Sequence, residues 1–136
     1  MMNEPKNMFL IKLAYWLGIC ADALWAIGLL FPTVFGILTG QPDFDPDVQI
    51  RLIMGIGGSL MTGWTLLLLW AIKKPIERRF VILLTAFPVV FGLTVVTYIG
   101  YAGGNTFNLW ILIKNSILII SMLTSYILAG KAVEKT

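Results

Sequence analysis

Residues 9–31 read FLIKLAYWLGICADALWAIGLLF, an apolar run whose only charged residues are Lys12 near its start and Asp22 near its middle. A transmembrane helix needs about 20 mostly apolar residues to cross a hydrocarbon core of roughly 30 Å. The run satisfies that length, and it is longer than the apolar part of a secretory signal peptide. The sequence therefore predicts a retained first membrane-spanning helix here.

Three further apolar runs follow, each separated from the next by a short polar break. Of the 136 residues, 58% are hydrophobic and 12% are charged, which leaves too few polar side chains to cover a soluble globule. We therefore expect an all-α membrane protein, a single four-transmembrane-helix bundle over residues 1–136. The predicted spans are residues 9–31, 50–72, 80–100 and 106–129.

Basic residues lie almost entirely on one side of this four-span layout. Arg51 and Lys114 are the two exceptions. Because Lys and Arg concentrate in cytoplasmic segments, the distribution predicts cytoplasmic N and C termini in a multi-pass protein of the cell membrane. The basic residues on the predicted cytoplasmic side are Lys6, Lys12, Lys73, Lys74, Arg78, Arg79, Lys131 and Lys135.

Composition also limits the chemistry. The chain has no histidine and one cysteine, Cys20. These counts argue against imidazole metal sites, His-ligated haem, a Ser-His-Asp type of catalysis and an internal disulfide. The net charge of +3 comes from residues that flank apolar runs, so it does not indicate nucleic-acid binding. We expect no catalytic residues, no metal and no cofactor.

Asp22 is the most informative position of the first run, because it falls near the middle of the predicted span. A carboxylate at that depth costs roughly 2.5–3.5 kcal/mol on insertion scales. Ala14, Gly18, Asp22 and Ala26 recur every four residues and form a seam of small side chains where another helix can approach. The spacing predicts that Asp22 faces protein and that Gly18 serves helix packing.

Lys114 is the complementary charge in the fourth run. Counting 1.5 Å per residue places it at nearly the same depth as Asp22, so we expect an ion pair or a water-bridged contact between them. Three interpretations stay open: a buried strut that fixes helix register, a Lys114 side chain that extends to the interface, and a proton or ligand site. Asn115, Ser121 and Ser125 accompany Lys114 on the same helix as further polar or ligand candidates.

Gly55, Ser59 and Gly63 repeat every four residues in the second run. This small-xxx-small pattern predicts a helix-packing face. A phosphate-binding loop is the alternative, but no strand precedes the glycines and no Lys-Ser/Thr pair follows them. Pro88 interrupts the third run, and it predicts a kink or hinge because proline lacks a backbone N–H.

The plan resembles the small DoxX-like four-helix membrane proteins. The resemblance rests on Phe31-Pro32 to Phe35-Gly36 after the first run, on Arg51 to Met54-Gly55 with Gly58 and Gly63 in the second, and on the basic turn before the third. It implies a four-helix membrane protein of a group whose members are largely uncharacterised. Some members resemble membrane subunits of quinone-linked oxidoreductases. The resemblance transfers no catalytic residue.

Three functions remain open. The sparse polar inventory favours a non-enzymatic membrane protein that binds a membrane partner or a hydrophobic ligand within or beside the bundle. The second is a small dimeric proton-coupled transporter with Asp22 as its coupling acid. The third is a membrane subunit of a quinone-linked oxidoreductase. We therefore expect the lipid bilayer, a homo-oligomer or partner subunit, and a hydrophobic small molecule as the candidate partners.

Overall fold

Helices account for most of residues 4–103 and 108–133, the part of the chain that the computed structural model describes, and these residues contain no strand. Four helical stretches there are long and apolar enough to cross a membrane: Lys6–Leu30, Val48–Ala71, Arg79–Gly100 and Leu109–Val133. The helical segments are α1 (Glu4–Leu30), α2 (Pro32–Leu38), α3 (Val48–Ala71), α4 (Arg79–Leu84), a π-helical segment (Thr85–Val90), α5 (Phe91–Ala102) and α6 (Asn108–Val133).

The boundaries of α2 and α3 follow from local sequence. Phe31 is extended, with φ −122° and ψ 100°, and Pro32 then begins α2, where a missing N–H costs nothing. Asp47 caps α3, because its side chain accepts a hydrogen bond from the Ile50 amide at 2.8 Å. Gly40 follows α2 with a φ of 71°, a conformation that glycine adopts without steric cost.

The end of the fourth span differs from the sequence expectation. The sequence predicts that the fourth span ends at Ala129, whereas α6 continues through Gly130 to Val133. Glycine permits a helix to end but does not force it, and Lys131 lies in the last turn, where a cation favours the helix C-terminus. The predicted start at Thr106 lies outside the described residues.

The third span is not one continuous α-helix. Phe87 has φ −143° and ψ 116°, so the chain is extended at that residue and the helix is interrupted between α4 and α5. Pro88 accounts for the interruption, since it has no N–H to donate and its ring clashes with the carbonyl four residues earlier. The predicted break at Pro88 is therefore present.

A buried core joins the four spans near one end of the bundle. Ile11 at the start of α1, Ala71 at the end of α3, Ile82 in α4 and Ala129 near the end of α6 belong to the same core. Consecutive spans are thus antiparallel. We name this the basic end, because the Lys73–Arg79 turn lies here, and we name the opposite end, with the loop of residues 39–47, the acidic end.

Helix α1 lies at the centre of the arrangement and packs against both α3 and α6, while α4 and α5 pack on α6. Two hydrogen bonds connect elements distant in sequence. The Tyr15 hydroxyl donates to the Arg78 carbonyl at 3.1 Å, and the Trp64 indole donates to the Thr85 hydroxyl at 3.0 Å. Hydrogen bonds therefore connect α1 to the turn before α4, and α3 to the π-helical segment, in the basic half.

Candidate functional site

The contact between α1 and α6 sets the relative levels of Asp22, Lys114 and Asn115. A Cβ added at Gly18 would lie 2.8 Å from Met122 Cε, so Gly18 and Met122 face each other. One turn further along the antiparallel pair, Asp22 comes level with Leu118. One more turn brings Trp25 level with Lys114 and Asn115.

Asp22 faces protein, as its seam of small residues predicts. Its exposed fraction is 4%, and Ala14, Gly18 and Ala26 are buried with it. The carboxylate oxygen Oδ2 is buried and has no hydrogen-bond partner in the described part of the chain. An unpaired carboxylate oxygen in a protein interior is costly, so this position is a candidate for function.

Lys114 does not form the direct ion pair with Asp22 that equal depth suggests. Over residues 4–103 and 108–133, no ion pair with an N···O distance of 4.0 Å or less includes either side chain, although their charges attract each other. The Lys114 ammonium instead lies 5.3 Å from the centroid of the Trp25 ring and 6.0 Å from that of Trp110. Asp22 and Lys114 are offset by about one helical turn along the two helices, and the ammonium lies over the indole faces.

Asn115 lines an apolar cavity of about 230 Å³ in the acidic half of the bundle. The exposed fraction of Asn115 is 2%, and its amide nitrogen Nδ2 is buried without a hydrogen-bond partner in the described residues. We name this space the lateral cavity. Its lining consists of Trp25, Leu29, Phe35, Met61, Leu93, Val96, Thr97, Ile111 and Asn115.

The lateral cavity is almost entirely apolar. Besides Asn115, its lining contains the Trp25 indole and the Thr97 hydroxyl, which donates to the Leu93 carbonyl of its own helix at 2.7 Å. Short helix α2 closes one side, where the Phe35 ring lies 6.2 Å from the Trp25 ring. Within the described residues, the Asn115 amide is therefore the lining group whose donor is both buried and without a partner.

The polar residues of α6 do not form one continuous site. The Ser121 hydroxyl donates to the Leu118 carbonyl at 2.9 Å and so is satisfied within its own helix. Ser125 is buried, and its hydroxyl has no partner in the described residues, but it lies in the basic half among the core side chains. Asn115 alone of these residues lines the lateral cavity.

The predicted packing glycines divide into two groups. Gly18 packs closely against α6, as expected. A Cβ at Gly55 or Gly63 would meet no atom within 4 Å, and Ser59 is exposed, so their predicted packing face is open within this chain. Gly58 makes the contact instead, since a Cβ there would lie 2.8 Å from Leu30 Cγ.

A four-residue spacing identifies a stripe of small residues, but α3 carries adjacent stripes, and the contact with α1 uses the one that contains Gly58. Residues Trp25, Phe35 and Met61 were not predicted as site residues at all. Their one sequence signal is that Trp25 follows Asp22 by one helical turn.

Comparisons with protein-family models, with curated proteins and with solved structures found no match to this chain. The described residues also contain no group of three or more His, Cys, Asp or Glu side chains arranged to hold a metal ion. The fold is thus that of an all-helical protein with four helices able to span a membrane. The features that bear on its function are the lateral cavity and the charges beside it.

Proposed function

We propose that the chain is an integral protein of the cell membrane, with cytoplasmic termini, that binds a hydrophobic small molecule in the lateral cavity. The four long apolar helices support membrane insertion. The concentration of Lys and Arg at the basic end supports the orientation. The resemblance to the DoxX-like four-helix membrane proteins is part of this proposal.

The observation that carries the ligand proposal is the unpaired Asn115 amide at an otherwise apolar cavity. Ligand sites in proteins are lined by apolar and aromatic side chains, with a few polar groups that fix orientation. A buried donor without a partner costs about 1–3 kcal/mol, and a ligand oxygen would recover that free energy. The cavity therefore favours a ligand with one hydrogen-bond acceptor.

Cavity size narrows the ligand class further. An engineered cavity of about 150 Å³ binds benzene, so 230 Å³ accommodates a single ring with a carbonyl and short substituents. A longer apolar tail would extend from the cavity between the helices into lipid. Ring ketones and quinones with alkyl tails have this shape, which also keeps the membrane subunit of a quinone-linked enzyme within the proposal.

A matched pair of probes tests the role of Asn115. The probes are 4-decylacetophenone and 1-decyl-4-ethylbenzene, which differ by one carbonyl oxygen. In isothermal titration in detergent micelles, we expect the ketone to bind the wild-type protein about tenfold more tightly than it binds Asn115→Leu. The hydrocarbon should bind both proteins about equally.

Ser116→Ala is the control, because Ser116 is the exposed neighbour of Asn115 on the same helix and its hydroxyl donates to its own helix. This variant should bind the ketone like the wild type. Equal ketone affinity in the wild type and Asn115→Leu would overturn the ligand proposal. So would a failure of the wild type to bind either probe.

A proton-coupled transporter is the second candidate, and the unpaired buried oxygen of Asp22 favours it. In that case the carboxyl would exchange a proton for a substrate during transport. Cells that express the protein should then export ethidium, and Asp22→Asn should abolish export without lowering the amount of protein in the membrane. Unchanged ethidium export in Asp22→Asn would exclude this role for the carboxyl.

A further inference from the structure

A second apolar depression lies between α1 and α6, and it contains one charged group. Its volume is about 330 Å³. We name it the Lys114 groove, and its lining residues are Leu17, Trp110, Ile113, Lys114, Ile117 and Leu118. Leu17, Trp110, Ile113 and Ile117 are exposed residues within the spans, so the groove faces the surrounding lipid rather than the bundle interior.

Lys114 enters this groove without an anionic partner at ion-pair distance in the described residues. Two indole faces at 5.3 and 6.0 Å attract its ammonium, but a cation–π contact replaces only part of the hydration that the group loses. The attraction of Asp22 acts from about one helical turn deeper in the bundle. A phosphate or carboxylate oxygen at the groove would therefore gain a charge-assisted hydrogen bond.

The backbone of Lys114 lies within the span, but its side chain extends toward the phosphate layer of a membrane leaflet. Within the described residues, the fourth candidate span begins at Leu109, and Lys114 lies about 8 Å further along the helix. Trp110 is one turn nearer to the acidic end, and the ammonium lies within 6.0 Å of its ring, so the side chain extends toward that end. Lysine side chains close to helix ends commonly place their charge at the interface in this way.

Arg51, the other basic residue of the acidic half, is in a different situation. Its guanidinium pairs with Asp45 at 2.8 Å and also donates to the Pro46 carbonyl at 3.0 Å. Its charge is thus already matched by a neighbouring loop residue. Lys114 is the cation of this half that stands beside an acyl-chain-sized apolar groove.

We propose that the Lys114 groove binds one anionic phospholipid from the leaflet at the acidic end. The lipid phosphate accepts a hydrogen bond from the Lys114 ammonium, and one acyl chain lies along Leu17, Ile117 and Leu118. This site rests on the proposed membrane insertion, and its lining shares no residue with that of the lateral cavity. The preference for an anionic lipid follows from the single positive charge in an apolar groove.

Quenching of Trp110 fluorescence by brominated lipids tests this site. The protein is placed in nanodiscs that contain either dibrominated phosphatidylglycerol or dibrominated phosphatidylcholine with the same acyl chains. The signal of Trp110 is the difference between each protein and its Trp110→Phe counterpart. We expect phosphatidylglycerol to quench Trp110 at about one-tenth of the mole fraction that phosphatidylcholine needs.

Lys114→Gln should make the two lipids equally effective, whereas Lys114→Arg should retain the preference and shows that the fold tolerates change at this position. Arg51→Gln is the matched control at the same end and should behave like the wild type. Equal quenching by both lipids in the wild type, or a preference that survives in Lys114→Gln, would overturn the lipid site. Absence of quenching by either lipid would instead refute membrane insertion. In the separate titration with the ketone probe, loss of the ketone preference would refute only the lateral-cavity ligand.

Discussion

Asp22 in α1 and Lys114 in α6 carry opposite charges within the membrane-spanning helices. They attract each other without touching, so each reduces the cost of burying the other. We expect Lys114→Gln to lower the free energy of unfolding, and Asp22→Asn to lower it less, because Asn keeps the shape without the charge. The double variant should recover about 1 kcal/mol relative to the sum of the single effects.

Thermal denaturation in detergent, followed by circular dichroism, measures this coupling in a double-mutant cycle. A cycle of Asp22→Asn with Arg51→Gln serves as the control, since Arg51 pairs with Asp45 and not with Asp22. That control cycle should be additive within a few tenths of a kcal/mol. Additivity in the Asp22 and Lys114 cycle would show that the two charges are energetically independent.

Thr85 connects the π-helical segment to α3 through a hydrogen bond with Trp64. Its side chain is fully buried and accepts the Trp64 indole hydrogen bond while it donates to the Val81 carbonyl. Thr85→Val should cost about 1–3 kcal/mol of unfolding free energy, because it leaves the Trp64 N–H unpaired. Thr94→Val should cost much less, since the Thr94 hydroxyl bonds only to its own helix.

Chemical denaturation monitored by tryptophan fluorescence compares the two threonine variants. Equal stability of Thr85→Val and Thr94→Val would mean that the hydrogen bond from α3 to the π-helical segment contributes nothing. The sequence alone could not identify this bond. It identifies the four apolar runs, but a bond between Trp64 and Thr85 depends on how two helices rotate about their own axes.

In α3, the residue pattern shows where small side chains lie but not which of them contact another helix. The spacing of Gly55, Ser59 and Gly63 correctly indicates small residues on one stripe, yet Gly58 makes the close contact with α1. Side chains determine a stripe, while the rotation of the helix determines which stripe is used. That rotation depends on the whole bundle and cannot be read from α3 alone.

Alanine substitutions at Gly58 and Gly55 turn this difference into a measurement. A Cβ at Gly58 would lie 2.8 Å from Leu30 Cγ and 3.2 Å from the Leu30 backbone nitrogen, so Gly58→Ala should cost about 1–3 kcal/mol. Gly55→Ala meets open space and should stabilise the helix by about 0.5–1 kcal/mol. Melting temperatures in the same detergent rank the two variants.

Both variants replace glycine by alanine in the same helix, so the change in helix propensity is the same in each. The difference between their melting temperatures therefore reports the contact of Gly58 with α1. A higher melting temperature for Gly58→Ala than for Gly55→Ala would contradict the packing of α1 against α3. A fall for Gly55→Ala would indicate that another molecule covers the open face in detergent. Analytical ultracentrifugation of the same samples distinguishes that outcome from a local effect.

The whole molecule could be predicted from sequence in outline but not in its cavity. Four apolar runs, a seam around Asp22 and a break at Pro88 follow from residue counting. The lateral cavity does not, because it arises where α1 stops at Leu30 and α2 turns back against it. This cavity lies between several helices, and no single helix contains a sequence signal for it.

Orientation in the membrane is the property of the whole molecule on which the function and lipid proposals both depend. In a Cys20→Ser background, we expect a membrane-impermeant maleimide to label Asp43→Cys in intact cells and not Glu77→Cys. Asp43 and Glu77 are exposed residues at opposite ends of the bundle, so access to the thiol is comparable once the membrane is opened. Permeabilised cells should therefore label both, and labelling of Glu77→Cys in intact cells would reverse the proposed orientation, since a turn rich in lysine and arginine would then face outward against its electrostatic preference.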